Sequence, residues 1–210
     1  GNAIGAIERD GFTPAARVYM VVEGENLVTS AKTTGMGLVE LATVFDNLRP
    51  DAVVTVADRY ETLATAVAAS YMNIPVVHVQ GGEVTGSIDE KVRHAVTKLS
   101  NLHLVSTAQA RERVIRLGEE PASVVLTGCP SIDIAKQAQD EPPVTAEELG
   151  GAGARLDPQA PFVFVLQHPC TNEADESSSQ MRTTLDACYG YEQLVMWPGQ
   201  DAGSDGMSVL

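Results

Sequence analysis

Residues 51–106 read DAVVTVADRY ETLATAVAAS YMNIPVVHVQ GGEVTGSIDE KVRHAVTKLS NLHLVS. Ala52–Val56 is a short run rich in β-branched residues between Pro50 and Asp58, the pattern of a buried strand. Tyr60–Met72 is alanine-rich, with Leu63, Val67 and Tyr71 four residues apart on one helix face. Its small side chains permit close packing on a sheet. Pro75–Val79 predicts a second strand, broken by Gly81-Gly82. Ser87–Ser100 is the best-defined helix. Ser87 and Glu90 form an S-x-x-E capping box, and Ile88, Val92, Ala95, Val96 and Leu99 make an apolar stripe. Glu90, Arg93, His94 and Thr97 fall on another face. Leu102–Ser106 and Ser123–Thr127 predict two more strands, flanking a helix over Ala108–Leu117. This alternation defines an α/β protein with a parallel, doubly wound sheet.

Beyond this unit the composition shifts. Gln137–Ala160 holds Glu141-Pro142-Pro143, Gly150-Gly151 and several alanines, and reads as a helix remnant plus linker. Phe162–Leu166 predicts a new buried strand ending at Gln167-His168-Pro169. Leu194–Trp197 predicts another, followed by the loop Pro198–Ser204. The expected organisation is a first domain over residues 1–140, a linker over 141–160 and a second domain opening at 161–210. There are no internal repeats or low-complexity tracts.

The chain has 210 residues, 28 acidic against 14 basic, for a net charge of −14. With 44% hydrophobic and 20% charged residues, a packed core is feasible. A basic excess of the kind that binds polyanions is absent, which excludes nucleic acid as the expected partner. Any anionic ligand must be held by local Arg, Lys, His or backbone N–H groups. Cys129, Cys170 and Cys188 are too scattered for a disulfide framework or a metal site. No run approaches the ~20 apolar residues of a membrane span, and the N-terminus lacks the shape of a signal peptide. A reduced, cytoplasmic, soluble protein is therefore expected. The start at Gly1 rather than Met suggests an incomplete chain.

In open α/β sheets, ligands bind beyond the carboxyl ends of the strands. Three polar segments fall there: Asp58-Arg59, His78–Thr85, and His168 before Pro169. An Asp between strand and helix is commonly an N-cap, and Arg93 and Lys98 suit a solvated helix face. His168 is better suited to proton transfer, because imidazole titrates near neutral pH. His78 and His103, inside apolar runs, read as core histidines. Gly81, Gly82 and Gly86 permit close backbone approach to a ligand. No Walker loop or G-x-G-x-x-G fingerprint is present.

Taken together, several segments resemble the hydrolysing UDP-N-acetylglucosamine 2-epimerases of the sialic-acid pathway. They are Asp58-Arg59, His78–Gly86, Ile88-Asp89-Glu90, Arg93–Ser100, Gly128–Asp133, Leu166–Pro169 with Thr171, and Asp201–Ser204. The similarity runs in order along essentially the whole chain. It implies a GT-B-like architecture of two Rossmann-like domains with a UDP-sugar in the cleft between them. On that pattern the first domain lacks its initial elements and the second is truncated. The implied reaction removes the proton at sugar carbon 2, expels UDP, and adds water to a 2-acetamidoglucal intermediate to give N-acetylmannosamine.

By the same resemblance, Asp58, Asp89 and Glu90 become acid/base candidates. Arg93 becomes an orienting or charge-stabilising group, and His168 a cleft residue from the second domain. Arg59, Gln80, Gly81, Gly82, Glu83, His94 and Ser204 become substrate-binding candidates. No cofactor is implied, and the family's dimers or tetramers suggest a homo-oligomer. A UDP-2,4-diacetamido sugar is an alternative substrate, and a noncatalytic binding remnant an alternative role. Three sites depart from the family pattern: Ala57 replaces a usual Gly, Gln80 a usual Glu, and the stretch Pro198-Gly199-Gln200 the usual Pro-Asn before Asp-Ala-Gly-Ser.

Overall fold

The computed structural model describes residues 3–24, 26–56, 59, 61–142, 144–199 and 201–208. Four strands, β1 (Val53–Val56), β2 (Val76–Val79), β3 (Leu102–Val105) and β4 (Val124–Leu126), form one parallel sheet in the order β1-β2-β3-β4. The register aligns Val53 with Val76, His78 with His103, and His103 with Val124. Two helices precede this unit, the short α1 (Ala3–Arg9) and the much longer α2 (Leu27–Leu48). The crossovers are α3 (Thr62–Tyr71), α4 (Ile88–Leu99) and α5 (Ala108–Arg116).

These strand and helix positions match the sequence pattern to within a residue or two at each end. The core forms where apolar residues of the helices meet one face of the sheet. Phe45 of α2 joins Ala68, Ala69, Val53 and Val76. Ala66 packs with Val92 and Val96 of α4, and Ala110 and Val114 of α5 with Val105 and Val124. The alanines of α3 are what bring α2 and α4 close. A Cβ added at Gly37 of α2 would lie 3.2 Å from the Ala64 Cβ and 2.7 Å from Met20.

The sheet departs from the doubly wound expectation in one respect. Sequential parallel strands joined by right-handed crossovers place α3, α4 and α5 on the same face. Side chains on the other face remain open, with Val54 64% and Val56 54% exposed. Helix α2 is the element without a clear sequence signal. Gly35, Gly37, Thr33 and Thr34 are weak helix formers, and its buried residues are Thr33, Gly37 and Phe45 rather than a bulky stripe. Its start is fixed by Asn26, whose side chain accepts from the Val28 and Thr29 N–H groups in a capping box with Thr29.

After β4 come α6 (Pro130–Gln137), a 3-10 turn at Ala138–Asp140 and α7 (Ala146–Leu149), capped by Thr145 and Glu148. A second parallel sheet pairs β5 (Val163–Val165), one residue short of the expected run at each end, with β6 (Gln193–Val195), which starts one residue before the expected Leu194 and stops two before Trp197. Helices α8 (Ser177–Ala187) and α9 (Ser204–Ser208) cover it, burying Met181 and Met207 against Val165.

Candidate active site

Helix α4 organises the site. Ser87 caps it, accepting from the Asp89 N–H at 3.2 Å and donating to the Asp89 carboxylate at 3.1 Å. Glu90 does not close the expected box with Ser87. Gly86, at φ +75°, turns the preceding loop back over the helix start. The Thr85 and Gly86 N–H groups then reach Glu90 Oε2 at 2.9 and 2.7 Å. Those bonds, the one from Gly86 first, hold the Glu90 carboxyl below its ordinary range. Its other oxygen faces His94 Nε2 at 3.8 Å.

Arg93 is buried, at 3% exposure. Its guanidinium donates to the Glu83 carbonyl at 3.0 Å and approaches Thr85 Oγ1 at 3.5 Å. One turn on, Thr97 Oγ1 donates to the Arg93 carbonyl at 3.0 Å and lies 3.2 Å from His78 Nδ1. Since the hydroxyl proton is committed to that carbonyl, His78 carries its own proton on Nδ1. Burial, with His103 and Arg93 nearby, lowers the His78 pKa to about 3. His78 and His103 are both fully buried, as core histidines should be.

The Gln80–Gly82 turn is set by packing. Gln80 adopts φ +62°, a strained region for a non-glycine residue, and its amide donates to Cys129 Sγ at 3.3 Å. Gly81 and Gly82 are buried. A Cβ on Gly81 would meet the His78 ring at 2.9 Å, and one on Gly82 the Ala110 carbonyl at 2.5 Å. Arg113 donates to the Gly82 carbonyl. Close approach there is to His78 and α5 within the protein. Cys129, at the start of α6, has its thiol pKa lowered by the Ile132 and Ser131 N–H groups.

The second sheet brings its loops to the same edge. His168 is exposed, and its Nδ1 accepts from the Gly199 N–H at 3.2 Å, which leaves the Nε2 position as the donor of the neutral ring. Ser204 is buried and staples its own loop, donating to the Gly199 carbonyl and accepting from the Asp201 N–H at 3.1 Å. Contacts cross between the halves from two described residues, Arg59 and Asn172. Arg59 Nη1 lies 3.2 Å from Asp201 Oδ1, while Arg59 Nε also donates to Glu61 at 2.6 Å. Asn172 donates to the Gly86 carbonyl at 3.3 Å.

Between them lies a cleft of about 490 Å3, walled by the first turns of α2, α3 and α4 and by Thr171, Asn172, Asp201 and Ala202. Of the expected site residues, Asp89 lines this cleft directly. Arg59 reaches the cleft through Asp201, and Glu90 through the Gly86 turn that Asn172 touches, whereas Arg93 is buried against Glu83 and Thr85, His94 lies beside Glu90, and Gln80 faces Cys129. Asp58 lies outside the described residues. The α2 wall and Asn172 carry no sequence signal of a site, while in the Asp201–Ser204 motif the sequence assigns a role to Ser204 and not to Asp201.

A parallel α/β sheet with a cleft at the carboxyl ends of its strands is a Rossmann-like arrangement, the place where open α/β sheets commonly hold ligands. The chain belongs to the UDP-N-acetylglucosamine 2-epimerase family, whose sequence profile matches residues 4–207. It is 32% identical over 205 residues to the UDP-N,N'-diacetylbacillosamine 2-epimerase (hydrolyzing) of Legionella pneumophila, covering 97% of this chain and 53% of that protein. It is 40% identical over 129 residues to polysialic acid biosynthesis protein P7 of Escherichia coli, covering 61% of this chain and 33% of that protein. In fold it is similar to the Methanocaldococcus jannaschii UDP-GlcNAc 2-epimerase solved with UDP-GlcNAc and UDP. The TM-score is 0.76 at 19% identity, covering 99% of this chain and 57% of that one. The chain thus spans about half the length of the curated relatives it matches most extensively.

Proposed function

We propose that this chain forms one wall and the opposing rim of the active site of a hydrolysing 2-epimerase. Its substrate is a UDP-2-acetamido-2-deoxyhexose, of which UDP-N-acetylglucosamine is the parent. The observation that carries this reading is the placement of Asp89 inside a cleft that Arg59 and Asp201 span, in a chain of this family. The two sheets then belong to two Rossmann-like domains, divided near residues 141–160, and the protein assembles as a homo-oligomer. Among the described residues no helix is long and apolar enough to cross a membrane.

In this reading a carboxylate, Asp89 or Asp58, takes the proton from sugar carbon 2. The electron pair forms the carbon 1–carbon 2 double bond as the bond from carbon 1 to the diphosphate oxygen breaks. UDP departs toward Arg59, the cation at the rim. His168 presents its Nε2 proton to the diphosphate or to the returning sugar. Water then adds its oxygen at carbon 1 and a proton at carbon 2 from the opposite face, releasing a free 2-epimer. Glu90, already holding two backbone N–H groups, positions the Thr85-Gly86 loop and His94. Arg93 fixes the Glu83 carbonyl at the other end of that loop.

The test is turnover of UDP-N-acetylglucosamine in D2O followed by proton NMR. Free N-acetylmannosamine deuterated at carbon 2, together with UDP, is the expected result. A UDP-linked epimer, or product without deuterium, overturns the hydrolytic reading.

A further inference from the structure

Thr171 Oγ1 is buried in the cleft wall with no hydrogen-bond partner among the described residues. The other hydroxyls of the cleft are engaged. Ser30 Oγ donates to the Asn26 carbonyl and Thr34 Oγ1 to the Ser30 carbonyl, each at 3.1 Å. Asn172 donates its amide to the Gly86 carbonyl. A buried hydroxyl is costly to leave unpaired, so Thr171 is suited to a group that enters the cleft.

Two loops of the second unit bring that hydroxyl to the same wall as a carboxylate. At one end His168 joins them by accepting from the Gly199 N–H at 3.2 Å. At the other, Gly203 sits at φ +98°, where a Cβ would stand 3.1 Å from Ala174 and 3.2 Å from the Pro169 side chain. Thr171-Asn172 and Asp201-Ala202 are what these stitched loops present to the cleft, and Asp89 borders it from the first turn of α4. Under the hydrolytic reading, on which this step rests, a carboxylate of the first unit removes the carbon 2 proton. The water that follows needs polar partners of its own, about two to four of them. Leu63, Ile88 and Val92 offer it only carbon. Thr171 Oγ1 supplies one partner. Asp201 supplies another once a diphosphate draws Arg59 away from it.

We propose that Thr171 and Asp201 hold the water that hydrates the unsaturated sugar. The carbon 1–carbon 2 π pair takes a solvent-derived proton at carbon 2. The water oxygen gives a lone pair to carbon 1, and its proton passes to the Asp201 carboxylate and on to solvent. One proton enters and one leaves, so the net addition is one water. Diphosphate binding at Arg59 thereby frees the base that hydration uses.

The test follows UDP, free 2-acetamidoglucal and N-acetylmannosamine by NMR while the intact protein consumes UDP-N-acetylglucosamine. In Thr171→Val, UDP release is expected to outrun formation of the free 2-epimer by about tenfold or more, so the unsaturated sugar accumulates. Thr171→Ser restores the hydroxyl and the original product ratio. Asp201→Asn keeps the shape but accepts no proton. It shifts the ratio as Thr171→Val does, and it decides the matter if the valine variant fails to fold. Parallel loss of UDP release and sugar formation, or an unchanged product ratio in either variant, overturns the water site and leaves hydrolytic epimerisation standing. No UDP release by the folded, unsubstituted protein, or formation of UDP-linked epimers, overturns the hydrolytic reading and this inference with it.

Discussion

Arg59 and Asp201 face each other at 3.2 Å across the cleft, one on the loop after β1 and the other on the loop before α9. The same guanidinium also holds Glu61 at 2.6 Å, so two carboxylates occupy the cation that a diphosphate would require. An anionic ligand must therefore compete with Asp201 for Arg59. With the two side chains 43% and 24% exposed, the pair contributes at most about 1 kcal/mol. Asp201→Asn is expected to tighten UDP binding up to about fivefold by calorimetry, with the gain shrinking as salt is raised. Weaker UDP binding in the variant would show that Asp201 holds Arg59 in place for the ligand instead of competing with it.

Acid lability follows from the core histidines. His78 titrates near 6.5 in the unfolded chain and at about 3 in the folded one, chiefly because burial disfavours its charged form. Between those values the unfolded state takes up a proton that the folded state refuses. Stability is complete above pH 6.5 and falls by at most about 1.4 kcal/mol per pH unit as the pH drops toward 3. The His103 pKa is lowered in the same direction, mainly by burial. Glu90 adds a loss only below the ordinary carboxylate range. Urea unfolding at pH 7.5, 6.0 and 4.5 reads the slope. His78→Asn keeps an N–H toward Thr97 and removes the titration, so its stability should depend less steeply on pH. An unchanged slope would assign the lability to other groups.

The strands and crossover helices between residues 51 and 126 were legible because their apolar periods change at glycines and caps. Val76 and the two histidines stand where the pattern puts the core, and the small alanines of α3 pack inward, but Tyr71 of the expected Leu63-Val67-Tyr71 face is exposed. Glu90 shows where local spacing misleads. Its S-x-x-E distance suits a box, but the positive φ of Gly86 brings two other N–H groups nearer. The α2 wall of the cleft was hidden for another reason. Helix α2 buries Thr33 and Gly37, side chains too small to print an apolar stripe, and the cleft forms only when it meets loops about 140 to 175 residues further on.

The paired glycines can be separated by substitution. Gly82 and Gly86 both sit at positive φ, +82° and +75°, where alanine costs roughly 1 kcal/mol of backbone strain. Only at Gly82 would the new Cβ also strike backbone, lying 2.5 Å from the Ala110 carbonyl, whereas nothing lies within 4 Å of Gly86. Gly82→Ala is therefore expected to lower the unfolding free energy by at least about 2 kcal/mol more than Gly86→Ala. Equal losses in urea would show that α5 yields readily and that the turn alone demands the glycine.

The open face of the first sheet makes the last prediction. Strands alternate sides, so Val53 and Thr55 go under the helices while Val54 and Val56 point away from them. Exposed at 64% and 54%, these valines contribute little burial and leave a flat apolar surface beside an edge strand. Threonine keeps the β-branch that favours the strand and replaces a methyl by a hydroxyl. The double substitution Val54→Thr and Val56→Thr should change stability by less than about 0.5 kcal/mol each, yet reduce concentration-dependent light scattering. A loss above about 2 kcal/mol, with scattering unchanged, would mean that this face is packed against another element or another copy in solution. Hydrogen exchange at β1 in the same samples separates those cases, because only a covered face protects its amides more at higher protein concentration when the cover is a second copy.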